Sequence, residues 1–517
     1  MRILSLSTGV FLLGSLLAPV VLAQDANQAD LRQPSAVRQT AFQYDHYVNL
    51  DQDQGNAPPS SAAKAPAAAP AEEKKEEKKD EEKKDEAEAP KDEGWKLPQP
   101  CILKQHGWTV GGWLDVGMTF NGAYPSDGYN TPVGFNDLNQ QPQVNQIYLS
   151  VNKAVDTKGC GIDYGGSFDL MYGSDARFTQ ANGLETPGNP AVFPPSVPGD
   201  TNFAYAYSPY RFSIPQAYLD LGINNLTIRT GHFVTNLGDE TIDPRQNFFY
   251  SHSYTFLYGI PFTHTGMTFT YKCNDQLTVM GGVQTGENQF DYSPPSNYPG
   301  ANVPSAPLPG QYEHLGYLGG ITYTGPCKKL NVNFQISISD DLDNSTGFNG
   351  GAASGLCDPV VDLTLIAKYN LSDKLVYTAE ETYGQQSDAV DGTATWYGFN
   401  QYLQYTINDK WAAGLRGEWF HDGSGVRVAN LEPFSANNLA SPAFSPVGLP
   451  GNFYEITAGL NWKPNANLTV RPEIRYDWSD ATATIPVVAA PSIVVKPYNG
   501  GTTADQFLFA VDAILTF

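Results

Sequence analysis

The stretch Asp505-Gln-Phe-Leu-Phe-Ala-Val-Asp-Ala-Ile-Leu-Thr-Phe517 decides the fold of this chain, because it alternates along its whole length and stops on an aromatic residue. One side carries mainly apolar residues, namely Phe507, Phe509, Val511, Ala513, Leu515 and Phe517. Chain ends of soluble domains are usually frayed and solvated. A transmembrane β-barrel instead closes with its last strand and presents one face of it to lipid. We therefore expect a membrane-embedded strand here, with Phe517 as the membrane-closing C-terminal residue.

The beginning of the chain predicts export. Met1-Arg2 forms a short basic region, residues 10–17 form a compact apolar core, and Val21-Leu22-Ala23 offers small residues before a cleavage point. This pattern is typical of a secretory signal peptide, which we assign to residues 1–23, and its apolar core is too short to span a membrane.

Residues 24–94 differ from the rest of the chain. They contain an Ala/Pro spacer at 57–70, followed by Glu-Glu-Lys-Lys repeats from Glu72. Such composition favours a solvated coil or a frayed helix over a packed domain. We expect a low-complexity tail in the periplasm, with contact to the cell wall as its functional alternative, and a barrel domain over residues 95–517.

Composition fits an outer-membrane barrel. Beyond the leader, no stretch approaches the roughly 20 consecutive apolar residues of a membrane helix. Aromatic residues make up 12% of the chain, with 29 Tyr and 49 Gly, whereas charged residues make up only 16%. The net charge of -23 argues against a nucleic-acid partner. It leaves a cation-preferring lumen as one alternative.

Period-two alternation predicts sixteen strands, each about as long as a tilted membrane-spanning strand or slightly longer. The predicted strands are 108–121, 143–155, 160–173, 212–222, 226–236, 262–273, 276–287, 312–325, 329–340, 360–371, 374–385, 395–408, 411–421, 453–463, 467–479 and 505–517. Tight polar turns such as Asn224-Asn225 and Asn274-Asp275 alternate with long loops such as 174–211, 287–311 and 422–452. We therefore predict an all-β, antiparallel up-and-down transmembrane barrel of about sixteen strands. With an even count, both barrel ends and the tail lie on the short-turn, periplasmic side.

A barrel of this size has room for an aqueous channel. Four charged residues share one side of a predicted strand, namely Arg471, Glu473, Arg475 and Asp477, and they are costly if they face lipid. We expect these four and Arg229 to line a polar lumen.

The connection after the fifth strand, residues 237–261, combines charged residues with many aromatics. Its aromatics would serve little purpose in solvent. They are Phe248, Phe249, Tyr250, Tyr254, Phe256 and Tyr258. Our hypothesis is that the loop folds into the barrel and that four charges narrow the channel, namely Asp239, Glu240, Asp243 and Arg245. Opposed charges across a constriction filter ions. The alternative is a loop packed on a neighbouring subunit.

Over residues 107–517 the chain resembles the putative β-barrel porin-2, OmpL-like family. The matching pieces are Gly112-Trp113 with Asp115 and Asn121, Asp169-Leu-Met-Tyr-Gly-Ser-Asp-Ala176, Gly231-His-Phe233 with Gly238 and Glu240, and Pro261-Phe-Thr-His-Thr-Gly266. The resemblance implies an outer-membrane pore. Its similarity to general porins implies that the loop after strand five constricts the channel. A homotrimer follows from analogy with other sixteen-strand porins only.

Cysteine and histidine give weaker signals. Five cysteines are an odd number for an exported protein. Cys101 paired with Cys160 and Cys273 paired with Cys327 form one possibility, and isolated thiols at turns form the other. The seven histidines show no metal-binding spacing. We expect neither a metal nor a cofactor.

Three functions compete. The first is a water-filled pore for passive diffusion of small hydrophilic solutes or ions, in contact with outer-membrane lipid. The second is an adhesion barrel that binds partners through its long outer loops. The third is an outer-membrane hydrolase that uses His421 and Ser424 in His-Asp-Gly-Ser-Gly. Since Asp-Gly-Ser-Gly is ordinary turn chemistry, we favour a pore without catalytic activity.

Overall fold

A computed structural model describes residues 94–181, 183–185, 209–290, 315–341, 358–389, 392–428, 448–485 and 492–517. The predicted signal peptide, almost all of the predicted tail and most of the predicted long loops lie outside these ranges, as does Cys357.

Sixteen antiparallel strands form one closed barrel, and a separate two-stranded hairpin lies between the last two barrel strands. The barrel strands are β1 (Thr109–Asn121), β2 (Gln143–Lys153), β3 (Ile162–Gly173), β4 (Arg211–Ile223), β5 (Leu226–Val234), β6 (Thr263–Lys272), β7 (Leu277–Glu287), β8 (Gly316–Thr324), β9 (Leu330–Asp341), β10 (Asp358–Asn370), β11 (Leu375–Ala389), β12 (Gly392–Asn408), β13 (Trp411–Asp422), β14 (Gly451–Asn465), β15 (Leu468–Ser479) and β18 (Asp505–Thr516); the hairpin is β16 (Ala483–Ile485) with β17 (Ile493–Val495). The predicted fold and strand count are confirmed.

Alternation along each strand sorts side chains between the two faces of the wall. On β9, Phe334 and Ile338 lie on the exposed outer face, whereas Asn333 and Ser337 are fully buried on the inner face. In a β-strand successive side chains point to opposite faces. The wall therefore has an apolar outside and a polar inside, as a membrane barrel with an aqueous interior requires.

The barrel closes between β1 and β18, which pair from Trp113 opposite Thr516 to Asn121 opposite Leu508. Phe517 continues this pairing, because its backbone N–H donates to the Gly112 carbonyl and its carbonyl accepts from the Gly112 N–H, each at 2.9 Å. The final strand is therefore the closing strand, as predicted.

Aromatic side chains gather on the outer face near the strand ends. Trp411 and Trp462 stack near the short turns, with ring centroids 5.7 Å apart, and Tyr454 and Trp478 stack near the long loops at 5.3 Å. Aromatic girdles of this kind lie at the two membrane interfaces.

Several small elements have no counterpart in the sequence prediction. They are the β16–β17 hairpin and the short helices α1 (Cys101–Gln105), α2 (Ala176–Thr179) and α3 (Tyr254–Tyr258). Within the described ranges, none of the helices has the length and apolar character to cross a membrane.

The cysteine alternatives are resolved for four of the five residues. Cys101, Cys160, Cys273 and Cys327 are exposed free thiols, so the disulfide alternative is wrong for these four. Turns two strands apart are about 10 Å apart, which exceeds normal disulfide reach.

Candidate functional site: the barrel interior

Loop 3, residues 235–262 between β5 and β6, lies against the inner wall of its own barrel. Glu473 on β15 accepts the backbone N–H groups of Tyr250 at 2.9 Å and Ser251 at 3.0 Å. Glu418 on β13 accepts those of Tyr254 at 2.7 Å and Thr255 at 2.6 Å. Two inward carboxylates therefore hold the middle of the loop through its backbone donors.

Inward arginines hold the loop through its carbonyl groups. Arg471 donates to the carbonyls of Pro244 at 2.7 Å and Asn247 at 2.8 Å. Arg475 donates to the carbonyl of His252. Hydrogen bonds with a charged partner are shorter and stronger than neutral ones. Positive and negative wall groups thus bind complementary backbone groups along the same loop.

Arg416 on β13 connects the wall to loop 3 most directly. Its guanidinium donates to the Glu240 carboxylate at 2.7 Å and to the Ser251 carbonyl at 2.7 Å, and it also pairs with Glu455 on β14. The Arg416 side chain is completely buried. The loop and two wall strands therefore share one buried cation.

Glu240 receives further donors on the same carboxylate. The Tyr402 hydroxyl lies 3.0 Å from Oε1, and His252 Nδ1 lies 2.9 Å from Oε2. Burial alone would raise the pKa of Glu240, but Arg416 and the His252 contact outweigh it and lower that pKa to about 2. Glu240 is therefore ionised at neutral pH.

The other predicted loop charges are also paired. Asp239 lies 2.6 Å from Lys368 on β10, and Asp243 lies 2.7 Å from Arg245. Burial would raise the pKa of Asp243, but the neighbouring Arg245 guanidinium lowers it below its ordinary value. Arg245 also lies over the Trp113 ring of β1, 3.9 Å from its centroid.

Aromatic packing fixes the remainder of the loop. Phe256 and Phe262 pack with Phe135, from the connection between β1 and β2, at centroid distances of 5.6 and 5.9 Å. On β1, a Cβ at Gly117 would lie 2.3 Å from the Tyr250 ring. On β13, a Cβ at Gly414 would lie 2.3 Å from Phe248. These glycines let loop aromatics approach the wall backbone closely.

A cavity of about 1500 Å³ lies on the short-turn side of loop 3. Its walls include the short turns between strands, and its inner end is lined by residues 245–249 of the loop. Arg229, which pairs with Asp220 at 2.8 Å, also lines this cavity.

The sequence of the barrel region decides the family. The family model of the putative beta-barrel porin-2, OmpL-like proteins matches residues 107–517. The chain belongs to this family. A closed sixteen-strand barrel with this membership is an outer-membrane porin.

Solved structures of outer-membrane channels resemble this porin only distantly. The outer membrane channel DcaP of Acinetobacter baumannii is 11% identical over 79% of this chain and 97% of its own, with a TM-score of 0.45. The anion-selective porin from Comamonas acidovorans is also 11% identical, over 79% of this chain and 99% of its own, with a TM-score of 0.45. OprB of Pseudomonas putida is 12% identical over 80% and 96%, again with a TM-score of 0.45. No curated protein matches the sequence.

The predicted lumen residues of this porin all lie on the inner face, but loop 3 covers most of them. Arg471, Glu473, Arg475 and Asp477 are each at most 3% exposed. Only Arg229 among the predicted lumen residues borders the cavity. A role for any of them in conduction remains a prediction.

Sequence reasoning missed the wall partners of the loop. They are Lys368, Tyr402, Arg416, Glu418 and Glu455. Arg416 and Glu418 share one side of the predicted thirteenth strand, as Arg471 to Asp477 share one side of the fifteenth. The same alternation of charged residues that identified the inward side of β15 would therefore have identified the inward side of β13 as well.

The proposed hydrolase residues serve a turn in this porin. The Asp422 carboxylate accepts the backbone N–H groups of Ser424, Gly425, Val426, Arg427 and Val428 at 2.7 to 3.3 Å. His421 Nδ1 lies 2.9 Å from the Asn452 side-chain oxygen, and its ring stacks on Tyr397. The Asp-Gly-Ser-Gly segment thus has the geometry of a tight turn.

Proposed function

We propose that this porin forms a water-filled channel for passive diffusion of small hydrophilic solutes or ions, with loop 3 forming its narrowest part. The observation that carries the proposal is the attachment of loop 3 across the barrel interior, directly above a 1500 Å³ cavity. Loop residues 245–249 line the inner end of that cavity. A solute that enters from the short-turn side must therefore pass them.

Planar-bilayer recording tests the channel itself. Purified full-length protein whose barrel is folded should give discrete, reproducible conductance steps. Folded protein without steps would refute the channel. Lipase activity that disappears in Ser424→Ala would favour the hydrolase instead.

Thiol modification tests the role of loop 3. Gln246 is exposed within the loop and lines the cavity. In a variant whose native cysteines are replaced by Ser, Gln246→Cys should lose conductance on reaction with a bulky, charged methanethiosulfonate. Leu415→Cys is the matched control, because Leu415 is exposed on the lipid face. Unchanged conductance with complete labelling at residue 246 would remove loop 3 from the conduction path.

We also propose that the N-terminal tail lies in the periplasm. The Trp95 N–H donates to the side-chain oxygen of Asn467 in the short turn between β14 and β15, and the Asn467 amide donates to the Trp95 carbonyl at 2.6 Å. Protease added to intact cells should then spare the tail, and protease added after permeabilisation should remove it. Cleavage in intact cells would contradict this orientation.

Two partner assignments belong to the same proposal. For cell-wall contact, full-length protein should sediment with purified peptidoglycan, and a variant without residues 24–90 should not. For the homotrimer, native mass spectrometry in mild detergent should give three chains. Equal sedimentation of both proteins, or a monomer mass, would refute the respective assignment.

A further inference from the structure

Lysine residues are concentrated at one end of the barrel. The described residues contain twelve lysines, and eleven of them lie at or near the short-turn end. Only Lys496 lies in the connection between β17 and β18. The lysines therefore lie at a different level of the barrel from the inward arginines of β13 and β15, which bind loop 3.

The cavity at this end has a charge opposite to that of the whole chain. Nine basic and six acidic residues line it, a surplus of three positive charges. Three of the acidic residues pair within the lining, Asp220 with Arg229, Asp239 with Lys368 and Asp275 with Lys272. Two further lining charges pair with groups behind the lining, since Glu240 meets Arg416, which also binds Glu455, and Arg245 meets Asp243. The chain as a whole carries -23.

The surplus comes from lysines near the mouth. Five lining lysines have no carboxylate within ion-pair distance in the part of the chain that the structure describes, namely Lys158, Lys328, Lys329, Lys410 and Lys463. All five are exposed. Their charge therefore acts on the water of the cavity instead of being cancelled at short range.

We infer that the channel prefers small anions, and that this preference arises from the lysine-lined cavity on the short-turn side of loop 3. The inference rests on the proposed channel function. A cleft lined by one sign of charge, with low-dielectric walls, focuses the field and concentrates counter-ions. The cavity is in series with the proposed constriction, so any ion that crosses must pass it.

The same geometry argues against a preference for cations. The predicted constriction carboxylates each lie within ion-pair distance of a basic side chain, Asp239 of Lys368, Glu240 of Arg416 and Asp243 of Arg245. Their fields are largely cancelled within a few ångströms. The lysines at the mouth are not cancelled in this way.

Reversal potential in a potassium chloride gradient tests the inference. At about 0.1 M salt, where the screening length is about 10 Å, the full-length protein should pass chloride severalfold better than potassium. The ratio of chloride to potassium permeability should fall towards one near 1 M salt, where the screening length is about 3 Å. Charges at a narrow constriction would be screened much less.

Replacing the lysines that line the cavity tests whether they cause the preference for chloride. The combined change Lys328→Gln, Lys329→Gln, Lys410→Gln and Lys463→Gln should bring the chloride-to-potassium ratio close to one without closing the channel. Lys374→Gln is the matched control, since Lys374 is an exposed lysine of the same rim that does not line the cavity. This control should keep the original ratio.

The outcomes separate the inference from the proposed function. Absence of conductance in folded protein would refute the channel. Conductance with no ionic preference, or with a preference for potassium, would leave the channel intact and overturn the inference. A chloride preference that survives the fourfold change would overturn the assignment to the mouth lysines.

Discussion

Replacement of Arg416 by Met should loosen loop 3 while the barrel stays closed. The Arg416 guanidinium makes three hydrogen bonds to the loop, at 2.7 Å to Glu240, 2.7 Å to the Ser251 carbonyl and 3.1 Å to the Ser251 hydroxyl. The backbone of residue 416 pairs with β12 and β14. The substitution leaves this pairing intact, so the loss falls on the attachment of the loop and on Glu455, the wall partner of Arg416.

The size of the effect follows from the burial of the pair. Removing one partner of a buried ion pair costs about 3–5 kcal/mol, because it leaves the other charge uncompensated. Glu240 would retain donors from His252, Ser253 and Tyr402, which places the cost near the lower end, at about 3 kcal/mol. Since about 1.4 kcal/mol corresponds to a factor of ten, the ratio of attached to detached loop should fall roughly 150-fold.

Hydrogen exchange read by mass spectrometry measures this ratio. Exchange of peptides that cover residues 240–252 should accelerate by roughly two orders of magnitude in Arg416→Met, because amides exchange through local opening. Peptides from the barrel strands are the internal control and should keep their rates. Arg416→Lys, which retains the charge but not the planar fork, should lie between the two. Acceleration below tenfold in the Met variant would refute the account of how the loop is held.

Three further predictions concern other parts of the molecule. The pKa of Glu240 is about 2 against its ordinary value of 4.5, so its charge should stabilise the attached loop above pH 4.5 and cease to do so as the pH falls towards 2. Loop exchange, corrected for the intrinsic amide rate at each pH, should rise over that window. Glu240→Gln should reduce this pH dependence and leave the part that comes from Asp243, whose pKa is also lowered. Asn467→Ala removes both hydrogen bonds to Trp95 and should expose the segment near residue 95 to protease at unchanged conductance; unchanged cleavage would show that other contacts hold it. Ile474→Arg puts a charge on the exposed outer face of β15 and should destabilise the folded barrel by roughly 2–4 kcal/mol in denaturant titrations, whereas Ser372→Arg in a short turn should change stability little.

Strand positions could be predicted from sequence because the signal is local. Every predicted barrel strand overlaps the corresponding strand, with ends that differ by at most four residues. The exposed outer face and buried inner face of β9 follow directly from the alternation of Phe334 and Ile338 with Asn333 and Ser337. The three-residue strands β16 and β17 were missed because they are too short to show a period.

The partners of loop 3 could not be predicted in the same way. The loop's charges and aromatics marked it as buried, but its contacts join residues far apart in sequence. Glu240 meets Arg416, 176 positions away, and Tyr250 meets Glu473, 223 positions away. Such contacts depend on the curvature of the closed wall, which strand periodicity does not encode. The alternation along each strand identifies which residues face inward, but only the assembled barrel determines which of these residues contact one another.

Pairing also changes what the charge of this porin means for transport. The whole-chain value of -23 left a lumen for cations as one alternative. Transport, however, depends on the charges that face the water of the path and lack a partner. The loop carboxylates pair with Lys368, Arg416 and Arg245, so their charge is largely cancelled within the protein. The lysines at the mouth have no such partner among the described residues, and they set the sign of the field that an entering ion meets.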